Sequence, residues 1–163
     1  MTERLAVTYL RGHGFPNAER SVRTGYRVAG RELVDAGDID GTPGLAWQLK
    51  ALKPLTAAEN AVPGWMTETE RQRVAAGADL SVLVVRRDQR PAEQWFAFLP
   101  LVDLIALGAG VPLADEHLTV NRLADVAIPA RLYLGDLVTL LRSRGYGDPI
   151  TEPVPPATPG RVS

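Results

Sequence analysis

Gly37-Asp38-Ile39-Asp40-Gly41-Thr42-Pro43-Gly44-Leu45-Ala46-Trp47-Gln48-Leu49-Lys50 is the stretch whose reading decides the fold. Its Pro43-Gly44 pair suits the two central positions of a type II turn, where proline presets φ and glycine accepts a positive one. Gly37–Gly41 and Leu45–Lys50 are therefore expected to fold back on each other as neighbouring strands. Side chains alternate along a strand, so Asp38 and Asp40 share one face of the first, and Ala46, Gln48 and Lys50 share one face of the second. Leu45, Trp47 and Leu49 occupy the other face, which is apolar and expected against the core. One wall of the hairpin carries carboxylate, amide and amine.

Upstream, Thr2 to Arg11 reads as a helix with Leu5, Val7, Tyr9 and Leu10 as its apolar positions, stopped by Gly12 and Gly14. Asn17 to Val22 reads as a weak strand and Arg23 to Gly30 as a polar loop. Downstream, Ala51 to Gly64 contains Pro54 and Pro63 with little periodicity and reads as a connection. Trp65 to Ala76 reads as a helix, with Thr67 or Thr69 able to cap it and Gly77 closing it. Leu80 to Val85 is a continuous apolar run, the mark of a strand covered on both faces. Asp88 to Pro91 then makes a turn, Gln94 to Leu99 a returning strand and Leu101 to Leu107 a short helix. Leu118 to Val126 fits either a helix or an irregular arm, and Pro129 reads as a break. Leu134 to Arg144 is an amphipathic helix closed by Gly145, and a proline-rich extended tail begins at Asp148. The expected division is a core over 1–107, a helical extension over 108–147 and a tail over 148–163.

At 163 residues, 45% hydrophobic and 23% charged, the chain fits one soluble α/β domain with an appendage. It has no cysteine, which excludes disulfides, thiolate catalysis and cysteine-held zinc or iron-sulfur sites. No secretory pattern opens it, and the apolar stretch Leu99 to Ala114 is broken by Pro100, Asp103 and Pro112, so no membrane span and a cytoplasmic location are expected. A glycine-rich phosphate loop between strand and helix is missing, which argues against a doubly wound nucleotide fold. The net charge of -1 conceals a cluster of Arg11, Arg20, Arg23, Arg27 and Arg31 before the hairpin, with Lys50 and Lys53 after it. Such a rim is either a solvated surface or a set of phosphate contacts.

The element order and the hairpin together resemble the PD-(D/E)XK nuclease superfamily, and within it the archaeal-type Holliday junction resolvases and their actinobacteriophage relatives. Glu3 lies on the first helix upstream of Gly14-Phe15, as the family's helix glutamate lies upstream of its Gly-Phe. Asp38-Ile39 stands where the family has Pro-Asp-Ile or Gly-Asp-Ile, and Gln48-Leu49-Lys50 stands where it has Glu-X-Lys. Trp65 through Gln72 to Gly77, followed by the strand to Arg87, looks like the second core helix and fourth core strand. The likeness covers roughly Thr2 to Leu107, about the length of one ordinary domain. The departure is Gln48, an amide where the family has a carboxylate.

The resemblance implies a restriction-endonuclease-like core (αβββαβ) with a central mixed sheet flanked by helices. It implies a magnesium- or manganese-dependent endonuclease acting on branched DNA, and a homodimer, since a four-way junction needs two coordinated cuts. Asp38 would be the principal metal ligand, joined by Gln48, the Leu49 carbonyl and Glu3, with Asp40 restoring the charge that Gln48 lacks. Lys50 would orient or deprotonate the attacking water, or stabilise charge on the phosphate. Arg11, Arg20, Arg23, Arg27, Arg31 and Lys53 would contact DNA.

Plainer readings stand beside these. Asp38 and Asp40 between glycines suit turns, Glu3 suits the first turn of any helix, and Gln48 suits a solvated sheet face. His13 reads as a surface residue or phosphate contact, and Trp47, Trp65 and Trp95 as core. The competing functions are a catalytically silent DNA-binding or structural module on the same fold, and a general restriction- or repair-type nuclease.

Overall fold

The computed structural model describes residues 1–21, 36–51, 55–110 and 128–149. The elements in chain order are α1 (Thr2–Gly12), β1 (Glu19–Arg20), β2 (Ile39–Asp40), β3 (Leu45–Lys50), α2 (Leu55–Ala76), β4 (Leu80–Val85), a 3-10 turn (Ala92–Gln94), β5 (Phe96–Pro100), α3 (Leu101–Ala109), β6 (Pro129–Tyr133) and α4 (Leu134–Ser143). Four strands form a mixed sheet in the order β3-β4-β5-β6, with β3 and β4 parallel and the other two pairings antiparallel. β1 and β2 form a separate antiparallel ribbon, with Glu19 opposite Asp40 and Arg20 opposite Ile39.

Helices cover both faces of the sheet. Leu45, Trp47 and Leu49 of β3 and Leu80, Val82 and Val84 of β4 pack with Ala6, Val7 and Leu10 of α1 and Leu134, Leu137 and Leu141 of α4 in the larger core. On the opposite face, Ala58, Val62 and Met66 of α2 pack on Leu83, Val85 and Phe98. Every residue of β4 is buried, as its uninterrupted apolar run predicts.

The turn is the expected one. Leu45 N–H donates to Thr42 O at 3.1 Å across Pro43 and Gly44, and Gly44 has φ of 80°, the type II geometry. The Trp47 indole N–H donates to Thr42 Oγ1 at 3.0 Å, tying the turn to the core. Gly44 O also accepts from the N–H groups of Asp79 and Leu80, which joins the start of β3 to the start of β4. The two arms of the hairpin lie side by side without a continuous ladder: Asp38 N–H donates to Trp47 O at 2.7 Å, while β2 makes its ladder with β1. Gly37 permits that approach, because a Cβ there would sit 2.7 Å from Trp47 O.

Four segments differ from the sequence reading. Residues read as a connection up to Gly64 belong to α2, which starts at Leu55 and carries Pro63 within it. An interior proline costs a helix about 3 kcal/mol. Burial of Val62 and Met66 returns about 1.5–3 kcal/mol each, and Pro63 itself points to solvent. No strand is expected at residues 129–133, yet β6 forms there, with Pro129 opposite Pro100 at the end of an edge strand, where a missing N–H takes no bond from the sheet. The returning strand begins later than expected, after the 3-10 turn, and Asn17 to Val22 yields only the two-residue β1. Leu118 to Val126 and the tail from residue 150 lie outside the described residues. Among the described residues, no helix is long and apolar enough to cross a membrane.

Candidate functional site

The site is assembled from β2, β3 and α2. Ile39 is buried in the same core as Trp47 and Leu49. Strand alternation therefore turns Asp38 and Asp40 to the other face, which also carries Gln48 and Lys50. The Asp38 carboxylate reaches β3 itself: Oδ2 accepts the backbone N–H of Leu49 at 2.7 Å. Asp38 is thus fixed beside the strand segment between Gln48 and Lys50. Asp40 is exposed and lies nearer the turn, farther along the antiparallel arm from Lys50.

β3 is covered on this face as well, which corrects the expectation of a solvated wall for Gln48. Gln48 is 1% exposed beneath α2, where its side-chain amide meets Thr69 Oγ1 at 2.9 Å. Thr69 Oγ1 also lies 2.7 Å from Trp65 O, one turn back on the helix. A hydroxyl has one hydrogen, so Thr69 directs it either to Gln48 Oε1 or to Trp65 O. Gln48 Nε2 has no hydrogen-bond partner among the described residues.

Lys50 Nζ pairs with Glu68 Oε2 at 3.1 Å and lies 5.9 Å from the centre of the Trp65 ring. Glu68 and Thr69 were not singled out by the sequence. They stand 18 and 21 residues from their partners, and only the crossing of α2 over β3 brings them together. A local signal did exist: Ala58, Val62, Met66, Thr69, Gln72 and Arg73 recur at steps of three and four on one helical face. Gln72 is buried on that face rather than exposed. Next to it, Glu70 accepts from Arg73 at 2.7 Å and from Ser81 at 3.0 Å, a buried polar clasp between α2 and β4.

Glu3 stands in the first turn of α1, one third exposed, where its carboxylate accepts from the N-terminal ammonium at 3.2 Å. A backbone hydrogen bond at its own position lowers its pKa most, the ammonium and the charge of Arg20 lower it further, and partial burial opposes them. Among the described residues, no group of three or more His, Asp and Glu side chains is arranged to hold a metal ion.

Of the basic residues, Arg20 is exposed on β1, and Arg11 donates from Nε to Ala18 O at 2.7 Å, closing the loop after α1. Arg23, Arg27, Arg31 and Lys53 lie outside the described residues. His13 stacks on Tyr9 with ring centres 4.1 Å apart and bonds the Tyr9 carbonyl, a helix-end role. Trp47 and Trp95 are core, whereas Trp65 is half-buried beside Lys50. A cleft of about 390 Å³, bounded by Phe15, Gly44, Asp79 and Tyr146, opens at the far end of β3 and β4. That end lies about 16 Å along the strands from Lys50.

No protein-family model, curated protein or solved structure matches the chain.

Proposed function

We propose that the chain is a divalent-metal-dependent endonuclease that hydrolyses phosphodiester bonds in branched DNA, on a restriction-endonuclease-like core. The observation that carries this reading is the bond from Leu49 N–H to the Asp38 carboxylate, which keeps an acid beside the strand that bears Gln48 and Lys50. The order α1-β1-β2-β3-α2-β4 supports it.

Magnesium takes hard oxygen donors and keeps several waters, so one or two carboxylates suffice in a protein shell. Gln48 offers one such oxygen, its Oε1, which also accepts from Thr69. Asp38 and Gln48 would hold the ion, with Glu68 the further carboxylate beside Lys50, while α1, which carries Glu3, packs on the opposite face of β3. When bound, the ion supplies Lewis acidity and a water activated for attack on phosphorus. Lys50 would stabilise the charge gained by a phosphoryl oxygen, and Glu68, which pairs with it, would orient the ammonium. Two such sites in a symmetric dimer would make the paired cuts a four-way junction requires.

The test is incubation of a synthetic four-way junction with the full chain in magnesium or manganese. Cleavage that disappears in Asp38→Asn while junction binding survives supports the proposal. Competition by linear duplex separates a junction enzyme from a general restriction- or repair-type nuclease. Burial of the Gln48 amide against Thr69, and the closed Lys50–Glu68 pair, favour one second reading, a silent DNA-binding module. Junction binding without wild-type cleavage in either metal is its signature.

A further inference from the structure

The row of paired residues that starts at Lys50 crosses the sheet through Val85 and Phe96 to Tyr133 on the edge strand β6. Phe96 and Tyr133 stack with ring centres 6.0 Å apart and planes 18° from parallel. The Arg87 guanidinium lies 4.6 Å from the Phe96 ring centre and 5.8 Å from that of Tyr133, and the Arg131 guanidinium lies 4.6 Å from that of Phe96. Tyr133 is 46% exposed and the Arg131 side chain 52% exposed. Two aromatic rings and two planar cations thus form a layered patch on the sheet face that also bears Lys50, about 14 Å from it across three strand spacings.

A patch of this kind has one plain structural use: charged side chains on an edge strand block pairing with another sheet. Its composition points further. Rings and guanidinium planes stack on any base, and guanidinium groups pair with phosphate in bidentate fashion. A peptide partner would need apolar pockets or acidic side chains alone; a nucleic-acid strand offers planar bases and phosphates together, matching rings and cations together. Glu59, 3.7 Å from Arg131, is itself half-exposed and leaves that guanidinium accessible. A duplex keeps its bases stacked inside, so the rings are useful only to unpaired nucleotides.

We infer that Phe96, Tyr133, Arg87 and Arg131 form a platform for single-stranded nucleic acid. On the reading of the chain as a nuclease, the platform would hold unpaired nucleotides on the sheet face that bears Lys50, but binding itself does not depend on cleavage.

The experiment is fluorescence anisotropy of labelled oligothymidylate, oligouridylate and blunt duplex with the full chain in EDTA, which removes catalysis from the readout. Both single strands are expected to bind. Tyr133→Ala is expected to weaken binding by about 10- to 100-fold, the loss of one base stack, while Tyr133→Phe retains it. Arg131→Gln is expected to reduce the slope of log affinity against log salt by about 0.7. Unchanged affinity in a folded Tyr133→Ala, an unchanged salt slope in Arg131→Gln, or binding of duplex in preference to both single strands overturns the inference. Those failures leave junction cleavage untouched, and absence of cleavage leaves the platform untouched.

Discussion

The carboxylate of Asp38 accepts the backbone N–H of Leu49 at 2.7 Å, eleven residues away and across a hairpin that lacks a continuous ladder. This side-chain bond substitutes for a ladder bond, so the residue proposed to hold a cation also holds two strands together. Asp38→Asn and Asp38→Ala separate the roles. Asparagine keeps an acceptor oxygen for Leu49 and should leave stability within about 1 kcal/mol, while cleavage falls by two orders of magnitude or more, roughly the weight of one electrostatic group. Alanine strands the N–H and should cost about 1–3 kcal/mol in urea unfolding. Equal cleavage by wild type and Asp38→Asn removes Asp38 from the chemistry.

Lys50 and Glu68 invite a split by kinetics. Lys50→Met is expected to lower kcat on a four-way junction by about 100- to 10,000-fold, the usual weight of a proton-handling or charge-stabilising group. Glu68→Gln keeps the shape and a hydrogen-bond acceptor but loses the charge that orients the ammonium, and a smaller fall in kcat is expected. Stability should scarcely change in Glu68→Gln, because a partly exposed pair is worth about 1 kcal/mol or less. A Glu68→Gln enzyme with unaltered turnover would show that the pair is only structural.

The buried Glu70–Arg73 pair behaves differently, since both side chains are nearly inaccessible. Arg73→Met leaves the Glu70 carboxylate with Ser81 and no cation, and should cost about 3–5 kcal/mol by chemical denaturation. Replacing both partners, Glu70→Met with Arg73→Met, should recover most of that loss, because the two desolvation penalties vanish together. A double variant no more stable than Arg73→Met alone contradicts this account.

The acid limb of stability should contain a contribution from Glu3. Its folded pKa is below the ordinary value of 4.5, so the unfolded chain binds the proton more readily as pH falls. The stabilisation is present above the unfolded value and is lost as pH drops through the folded one. Thermal melting of Glu3→Gln against wild type should therefore differ at neutral pH and converge in acid. A difference that grows as pH falls has the wrong sign for this explanation.

Much of the fold was legible because it is written in local chemistry. Pro43-Gly44 fixes a turn by the φ values those two residues favour, and the structure has that turn. The unbroken apolar run of β4 announced burial on both faces. Leu134 to Arg144 carried its own helical stripe and forms α4 over nearly the same span. Where propensity and burial disagreed, local reading failed: Pro63 argued against a helix, yet α2 contains it.

The candidate site was legible only in part. Alternation along β3 placed Gln48 and Lys50 on one face, and alternation beside Ile39 placed Asp38 with them. That Gln48 is sealed against Thr69, and that Lys50 pairs with Glu68, required knowledge of where α2 lies, because no sequence period links positions 18 or 21 apart. The aromatic and arginine patch is still less local, since it draws on β4, β5 and β6 and exists only in their register.

By itself, then, the sequence determined the turn, the apolar strand, the amphipathic helices and the faces on which the acid, amide and amine project, because those follow from φ preferences and side-chain alternation over a few residues. The tertiary structure alone decided which groups meet: long-range packing of α2 across β3 selects the partners of Gln48 and Lys50, and strand register stacks Phe96 on Tyr133. Burial energy summed over a whole interface made those choices, and it overrode the preference of Pro63 to do so.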